Sequence, residues 1–295
     1  MQPLVSVIIP VYNCERYIKQ SVGCILAQTY PEIECIVSND GSTDGTSEIL
    51  DYYKDFIKII NASNAGEATA VNRGLEIARG EYVIVLNSDD MLSINAITHL
   101  VDFMEYHPNL IVGYPDFGVI DTEGKIIEYK RTREYDYNYM VSHHWCFPSV
   151  GTIIRREILA KSGLRNPAYK YVGDFEHFLR IGKHGDFCRI PEILAYWRRW
   201  GAQASYKSGQ AMALEHIKLI KDYYENYSLP KSILNKKAQA ICWSYIVAGL
   251  KTRGTNRTIY LLTALGHYPQ EILNVKNYWY LLHINKFSKG GTQNG

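Results

Sequence analysis

Two adjacent aspartates, Asp89 and Asp90, follow the apolar run "YVIVL" at residues 82–86. Like charges beside a buried strand repel each other, so the pair is costly unless a cation or a donor offsets the repulsion. Carboxylate oxygens suit hard Mg²⁺ or Mn²⁺, and such an ion can also bridge two phosphates of a diphosphate. A cap for the helix that opens near Ser93 would need only one carboxylate. The pair therefore predicts a divalent-cation site.

A third carboxylate, Asp174, stands near the start of the helical pattern "GDFEHFLRIGKHG" at residues 173–185. An aspartate at a helix N-terminus can be a cap, which the helix dipole favours. With Phe175 beside it, the same aspartate can be a partly desolvated general base, held in place for proton transfer. The spacing supports both roles equally. Glu176 is expected to face solvent or to be paired.

Polar residues also follow the predicted strands, and ligands of open parallel sheets bind beyond the carboxyl ends of the strands. The candidates are Pro10, Tyr12 and Asn13 after the first strand, Asp40 and Asp44 after the second, and Asn87 after the fourth. We expect Asp44 to cap the next helix, whereas the Asp40 carboxylate is placed to accept a hydrogen bond from a nucleobase imide. The first two loops are not G-x-G-x-x-G, and G-x-x-x-x-G-K-[ST] is absent from the sequence, so a bound nucleotide needs the cation to hold its phosphates.

Alternating strands and helices over residues 1–113 must position these side chains. The predicted strands cover residues 4–10, 33–38, 57–60 and 82–86, and the predicted helices cover residues 14–28, 45–55, 66–80 and 95–107. Each strand is apolar on both faces, which indicates a parallel sheet covered by helices on both sides. The predicted fold class is α/β.

A different pattern follows residue 113. We predict an antiparallel hairpin at 117–130, a strand running into a short helix at 149–159, and helices from Ser205 onward with breaks at Leu229-Pro230, Gly254 and Pro269. The last residues, 286–295, are expected to be a frayed tail. The chain is accordingly divided into a first domain at 1–205 and a helical C-terminal extension at 206–295.

Composition places this chain of 295 residues among ordinary globular proteins, with 46% hydrophobic and 21% charged residues. Residues 206–295 hold 12 Lys and Arg against 4 Asp and Glu, whereas the rest holds 20 against 26. The basic extension is either a solvated helix face or a contact for something anionic.

The six cysteines form no C-x-x-C pair, which suits reduced thiols in a reducing cytosol. The N-terminus has neither the basic start of a signal peptide nor an apolar run long enough to span a membrane. We expect a cytoplasmic protein, with peripheral contact to an inner membrane or a homodimer interface through residues 206–295.

Four motifs together resemble the family 2 glycosyltransferases, which have the GT-A fold and move a sugar from a nucleotide diphosphate to an acceptor. They are "VSVIIPVYN" (5–13), "SNDGSTDGT" (38–46), "NAGEATAVNRGLEIARGEYVIVLNSDD" (64–90) and "GDFEHFLRI" (173–181). The resemblance covers about the first two thirds of the chain. It implies a mostly parallel central sheet flanked by helices, a UDP-sugar donor, and an acceptor hydroxyl on a carbohydrate or lipid-linked molecule, with no nucleic-acid partner.

The resemblance also implies roles for the candidate residues. Asp40 would meet the uracil, and the residues from Pro10 to Asn13 would line the nucleotide pocket. The family's Asp-any-Asp element, which holds Mn²⁺ or Mg²⁺ against the diphosphate, maps to Asn87-Ser88-Asp89, so that Asn87 would touch the ribose without contributing charge. Arg73, on the preceding helix, is a candidate for the phosphate side.

The family's catalytic base matches Asp174, and the resemblance favours that role over the helix cap. Asp174 would take a proton from the acceptor hydroxyl as it attacks the anomeric carbon, inverting the configuration. Trp200 takes the place of a histidine that helps to hold the metal or the diphosphate in many relatives. Because tryptophan cannot ligate a metal, Arg198 and Arg199 are predicted to neutralise the diphosphate, or another residue completes the coordination.

Two alternatives to a glycosyltransferase remain at the level of sequence. A sugar nucleotidyltransferase would also be α/β with acidic metal ligands, but it should have a Gly-rich basic loop where this chain has "PVYNCERY". A catalytically silent nucleotide-sugar-binding module is conceivable because Asn87, Gly173 and Trp200 depart from the family pattern.

Overall fold

The computed structural model of the protein describes residues 2–201 and 209–270. These residues form an α/β protein, as predicted, and their contacts divide the chain into two compact units. The first unit comprises residues 1–135 and 146–203, and the second comprises residues 136–145 and 204–295. The predicted boundary between residues 205 and 206 lies outside the described ranges, and the assignment of 136–145 to the C-terminal unit has no signal in the sequence.

The strands of the first unit form one mixed sheet of nine strands in the described residues. They are β1 (Val5–Val11), β2 (Ile33–Asn39), β3 (Lys58–Asn61), β4 (Tyr82–Val85), β5 (Met91–Leu92), β6 (Leu110–Ile120), β7 (Ile126–Lys130), β8 (Ile153–Arg155) and β9 (Asp186–Arg198). Their order is β3-β2-β1-β4-β8-β6-β9-β5, and β7 pairs with β6. The four strands predicted in residues 1–113 are therefore confirmed, and β1 and β2 extend one residue further.

The strand directions agree with the prediction of a mostly parallel sheet. β3, β2, β1 and β4 run parallel, as do β6 and β9. Because β8 is antiparallel to both β4 and β6, these six of the nine described strands share one direction. The other three run the opposite way, since β5 is antiparallel to β9 and β7 is antiparallel to β6.

The described residues form eleven α-helices. They are α1 (Ile18–Leu26), α2 (Thr46–Asp51), α3 (Glu67–Ile77), α4 (Ala96–Tyr106), α5 (Tyr137–Ser142), α6 (Leu159–Ser162), α7 (Gly173–Ile181), α8 (Gly209–Asn226), α9 (Lys231–Leu234), α10 (Lys237–Lys251) and α11 (Gly254–His267). The four helices predicted in residues 1–113 are confirmed with shorter ends. Helix α3 packs closely on β1, because a Cβ on Gly74 would lie 2.5 Å from Cγ2 of Ile8.

The later elements also follow the predicted pattern. β6 and β7 form the antiparallel hairpin predicted at 117–130, and β8 continues through a 3₁₀ turn at Arg156–Ile158 into α6. Helices α8 to α11 confirm the helical C-terminal pattern, with breaks at Pro230 and before Gly254. The tail at 286–295 lies outside the described residues. Within the described ranges, no helix is both long enough and apolar enough to cross a membrane.

A buried carboxylate, Glu34 on β2, ties together three elements at the opposite end of the sheet from the candidate site. Its oxygens accept hydrogen bonds from Ser6 Oγ at 2.6 Å, from Lys58 Nζ at 2.8 Å and from the main-chain N–H of Arg79 at 2.6 Å. Burial alone would raise the pKa of Glu34, but these hydrogen bonds outweigh burial and lower the pKa to about 2. The ionised form therefore stabilises the fold.

Glu34 should make the stability of the fold depend on pH in the acidic range. Its pKa is about 4.5 in an unfolded chain and about 2 in the fold, so the stabilisation is complete above pH 4.5 and is lost as the pH falls toward 2. The shift corresponds to about 3 kcal/mol. Urea unfolding of Glu34→Gln between pH 2 and pH 7 should lack this dependence, whereas Glu32→Gln, which changes an exposed carboxylate on the preceding segment, should keep it. Equal pH profiles for the two variants would contradict the assignment.

Candidate active site

The segment from Asn87 to Asp90 forms a tight turn after β4. The main-chain N–H of Asp90 donates to the Asn87 carbonyl at 3.1 Å, and the Asn87 amide Nδ2 donates to Asp90 Oδ2 at 3.2 Å. Ser21 Oγ on α1 donates to the carbonyls of Ser88 at 2.7 Å and Asp90 at 2.8 Å. The turn is thus fixed both internally and from α1, with Asn87 exposed and Asp89 partly exposed.

Asp90 is fully buried, which separates it from its neighbour. Its Oδ1 accepts the main-chain N–H of Arg198 at 2.9 Å. Burial, followed by the charge of Asp89, raises the pKa of Asp90 well above the ordinary carboxyl value, against the lowering effect of the Arg198 N–H. The prediction that Asp89 and Asp90 act as an equivalent pair of metal ligands does not fit this placement, because one carboxylate lies inside and the other at the surface.

Asp89 is held by residues at and just after the end of β9. The indole Nε1–H of Trp200 donates to Asp89 Oδ2 at 2.7 Å, and Nε of Arg198 donates to the Asp89 carbonyl at 2.8 Å. The Trp200 ring packs edge-on against Tyr17, with ring centroids 5.2 Å apart. The residue that replaces the expected histidine therefore bonds to the candidate metal ligand, a contact between positions 111 apart that sequence reasoning missed.

Arg198 does not lie where the diphosphate prediction requires it. Its side chain is completely buried, and the guanidinium donates to the Asp121 carbonyl at 3.0 Å and to Gln20 Oε1 at 2.7 Å in addition to the Asp89 carbonyl. Its charge also lies 4.5 Å from the Tyr17 ring centroid. Arg198 is therefore a structural residue. Arg199 is partly exposed, with a 3.6 Å ion pair to Glu128, and it remains a candidate for the phosphates.

The loops after β1 and β2 are joined through Asn13. Asn13 has a left-handed φ of 49°, and its Oδ1 accepts the main-chain N–H of Thr43 at 2.7 Å. Its own main-chain N–H donates to Ser42 Oγ at 3.0 Å. Pro10 is buried within β1, whereas 51% of Tyr12 is exposed beside this joint. Of the three residues predicted after the first strand, Tyr12 and Asn13 are thus both exposed, and Tyr12 offers an aromatic surface for a base.

Asp40 anchors the start of α3. Its carboxylate accepts the main-chain N–H groups of Ala65 at 3.0 Å and Gly66 at 2.8 Å, and Nη1 of Arg73 at 2.7 Å. These three donors give Asp40 a structural role that the sequence did not reveal, and they place Arg73 beside it. Contact of Asp40 with a nucleobase stays a prediction.

The Asp44 carboxylate caps the start of α2 as expected, because its Oδ1 accepts the Thr46 main-chain N–H at 3.0 Å. Its Oδ2 accepts the main-chain N–H of Glu15 at 3.1 Å. Burial alone would raise the pKa of Asp44, but these hydrogen bonds lower it overall.

Asp174 lies in the first turn of α7 and is exposed, so the expectation of partial desolvation is corrected. Its Oδ1 accepts the main-chain N–H of Phe175 at 2.7 Å. The rest of α7 is firmly held, since Glu176 is 2% exposed and forms two 2.7 Å hydrogen bonds with Arg180. Glu176 is therefore paired, one of the two alternatives expected, and does not face solvent.

A cavity of about 280 Å³ brings the two acidic regions together. Its polar lining includes Asn87, Asp90, Asp174, Glu67, Arg165 and Lys170. The predicted residues outside this lining are Asp89, Asp40, Arg73, Arg198, Arg199, Pro10, Tyr12 and Asn13. The structure thus places Asp174, Asn87 and Asp90 at one cavity, and Asp89 lies between two lining residues in sequence without lining the cavity itself.

Two lining residues were missed by sequence reasoning. Glu67 begins α3 and accepts Nη1 of Arg165 at 2.9 Å. The main chain of Arg165 is fixed by Asn72, whose Oδ1 accepts its N–H at 2.9 Å and whose Nδ2 donates to its carbonyl at 2.8 Å. The position of Glu67 immediately after Gly66 in the "NAGEATA" motif was the available signal.

A divalent cation would fit these residues only if a bound ligand supplied part of its coordination. Among residues 2–201 and 209–270, no group of three or more His, Cys, Asp or Glu could hold a metal. The partly exposed Asp89 carboxylate and the exposed Asn87 amide are hard oxygen donors beside the cavity. Mg²⁺ commonly binds through one or two carboxylates together with substrate phosphates, which matches this sparse donor set.

Comparison with known proteins defines the class. The family model "Glycosyl transferase family 2" matches residues 6–163, which include all but the first residue of β1, the Asn87–Asp90 turn and α6. The fold, a mixed α/β sheet with flanking helices, is that of the GT-A glycosyltransferases. The chain therefore belongs to glycosyl transferase family 2, a family of glycosyltransferase enzymes.

Several proteins are similar in sequence to much of this chain. An uncharacterized glycosyltransferase of Rickettsia typhi is 33% identical over 61% of this chain and 59% of its own length. The chondroitin synthase of Escherichia coli is 28% identical over 78% of this chain and 34% of its own length. The chain thus spans about three fifths of the Rickettsia protein and about one third of the synthase.

Solved structures share the fold at low sequence identity. Residues 1–349 of S. aureus TarS, in complex with UDP-GlcNAc, match with a TM-score of 0.68 and 20% identity over 89% of this chain and 80% of that chain. The mannosyltransferase PcManGT of Pyrobaculum calidifontis, in complex with GDP-Man and Mn²⁺, matches with a TM-score of 0.64 and 17% identity over 97% of this chain and 83% of that chain.

Proposed function

We propose that this protein transfers a sugar from a UDP-sugar to a hydroxyl of a carbohydrate or lipid-linked acceptor, with inversion at the anomeric carbon. The observation that carries the proposal is the cavity whose lining includes both the exposed Asp174 and two residues of the turn after β4, Asn87 and Asp90. A base and a diphosphate site at one cavity suit a displacement in which the acceptor and the donor meet there. Surface polysaccharide or glycolipid synthesis is the setting we propose, in keeping with a similar protein named chondroitin synthase.

Asp174 would act as the general base. Its carboxylate would accept the proton of the acceptor hydroxyl while that oxygen attacks the anomeric carbon from the face opposite the diphosphate. Helix α7 holds the base in place through the buried Glu176–Arg180 pair. The in-line geometry requires no covalent bond between sugar and enzyme, so we assign no nucleophile.

The donor would lie with its nucleoside over the β1 and β2 loops and its diphosphate near the Asn87–Asp90 turn. We propose that Tyr12 packs against the base, that Asn87 bonds the ribose, and that Arg199 meets the phosphates. Mn²⁺ or Mg²⁺ held by Asp89, when bound, supplies charge that stabilises the leaving diphosphate. A UDP donor is in keeping with the UDP-GlcNAc complex of TarS, and the GDP-Man complex of PcManGT makes GDP the alternative to test.

A donor screen tests the proposed function. The protein is incubated with UDP-, GDP- and dTDP-sugars in the presence of Mn²⁺, Mg²⁺ or EDTA, and the released nucleoside diphosphate is measured. Slow, metal-dependent UDP release without an acceptor is the expected result, because water can take the acceptor's place. Binding of UDP-sugars without any release under all conditions would instead support a silent binding module.

Asp89 and Asn87 should differ in their effect on metal-dependent binding. Calorimetry of UDP binding with and without Mn²⁺ should reveal a loss of about 10-fold or more in the metal-dependent affinity of Asp89→Ala, because a direct ligand is removed. The same measurement on Asn87→Ala should give an affinity near that of the wild type, since an uncharged amide contributes little to cation binding. Equal losses in the two variants would place the cation elsewhere.

The C-terminal residues would serve the acceptor. We propose that the basic segment 206–295 contacts the inner membrane of a cell where lipid-linked acceptors lie, or forms a homodimer interface. Membrane fractionation at low and high salt, together with light scattering, separates the two, because only a membrane contact through basic residues is released by salt without a change in mass.

A further inference from the structure

The indole N–H of Trp200 points at the carboxylate of the candidate metal ligand. It donates to Oδ2 of Asp89 at 2.7 Å, a distance typical of a strong hydrogen bond to a charged acceptor. The ring is fixed on its other side by its edge-on contact with Tyr17, which is 1% exposed. A fixed donor on a partly exposed carboxylate limits the orientations that the carboxylate can adopt.

The main chain of the same turn is fixed by the end of β9. Nε of Arg198 donates to the carbonyl of Asp89 at 2.8 Å, and the main-chain N–H of Arg198 donates to Asp90 Oδ1 at 2.9 Å. Arg198, the last residue of β9, therefore fixes the main chain of Asp89, and Trp200, two residues later, fixes its side chain. Residues that bond to a metal ligand in this way fix its direction, and their replacement commonly costs 10- to 100-fold in metal affinity.

We propose that Trp200 is a positioning residue for the cation, acting through Asp89 and without touching the ion. This inference rests on the proposed function, in which Asp89 holds Mn²⁺ or Mg²⁺ against a nucleoside diphosphate. An indole offers no lone pair for coordination, so its contribution is limited to orienting the carboxylate. The nucleoside diphosphate and water would supply the ion's remaining ligands.

Trp200→Phe tests the proposal, because it removes the N–H donor and keeps an aromatic ring against Tyr17. The dissociation constant of Mn²⁺ is measured by electron paramagnetic resonance of free Mn²⁺ in the presence of UDP, and binding of UDP alone is measured in EDTA. We expect Mn²⁺ to bind Trp200→Phe about 10- to 100-fold more weakly, with metal-free UDP binding unchanged.

Tyr17→Phe is the matched control. It removes only the Tyr17 hydroxyl, which has no hydrogen-bond partner among the described residues, and leaves both the ring contact and the Asp89 hydrogen bond in place. It should bind Mn²⁺ like the wild type, and the urea midpoints of all variants identify any that fail to fold. A folded Trp200→Phe with wild-type Mn²⁺ affinity would overturn the role of Trp200 and leave the proposed function standing. A wild-type protein whose UDP binding is indifferent to Mn²⁺ would overturn both.

Discussion

Asp174→Asn should lower sugar transfer by about 10²- to 10⁴-fold, which is the usual contribution of a positioned general base. An amide has nearly the shape of a carboxylate but cannot accept the acceptor's proton, so the attack on the anomeric carbon loses its driving force. Donor binding should change little, because Asp174 lies on α7 and the proposed diphosphate contacts lie on the turn after β4. Steady-state transfer rates and calorimetric UDP binding, measured on the same preparation, separate the two effects.

The matched control for Asp174 is Glu67→Gln, which neutralises another carboxylate of the same cavity. Glu67 is already engaged by Arg165 at 2.9 Å, so its removal should affect transfer far less than removal of Asp174. The opposite ranking, with Glu67→Gln inactive and Asp174→Asn active, would move the base to α3. Normal turnover by Asp174→Asn would refute the assignment outright.

Arg198→Met should destabilise the fold by about 3 kcal/mol or more, because it leaves several buried acceptors without donors. The guanidinium bonds the carbonyls of Asp89 and Asp121 and the side chain of Gln20, and water cannot replace it in a fully buried position. Methionine fills much of the volume, so the effect reports the hydrogen bonds more than a cavity. The free energy of unfolding in urea measures the change.

Arg199→Met is the control for this prediction. Arg199 is the next residue in the chain, and 30% of its side chain is exposed with a 3.6 Å ion pair to Glu128. A partly exposed ion pair contributes about 0 to 1 kcal/mol, so Arg199→Met should lose much less stability than Arg198→Met. Equal losses would mean that the buried hydrogen bonds of Arg198 contribute nothing beyond packing.

The elements of the fold could be predicted because they depend on local apolar patterns. Strands β1 to β4 and helices α1 to α4 were predicted from periodicity, with differences confined mainly to their ends. The directions of β8 and β5 could not be predicted in this way. β8 has three residues and β5 has two, so their pairing is decided by distant neighbours and not by their own sequence.

The roles of individual side chains could likewise be predicted where they depend on local sequence, and could not be predicted where they depend on contacts with distant residues. The turn after β4 was recognised as a site from its sequence alone, yet the contrast between a buried Asp90 and a partly exposed Asp89 depends on Arg198 and Trp200, which are more than a hundred positions away. One local signal for Arg198 was available. Successive residues of a strand point to opposite faces, so Arg198 and Arg199 could not both face the same ligand.

The hydrogen bonds of Asn13 and Asp40 bear on how tightly the proposed nucleotide would bind. Asn13 joins the loop after β1 to the loop after β2, and Asp40 joins the start of α3 to the same region by accepting two main-chain N–H groups. A recognition surface that is already ordered loses little conformational entropy on binding, so most of the contact energy contributes to affinity. In the proposed complex, the nucleoside side would therefore need little ordering, and most of that cost would fall on the sugar and the acceptor.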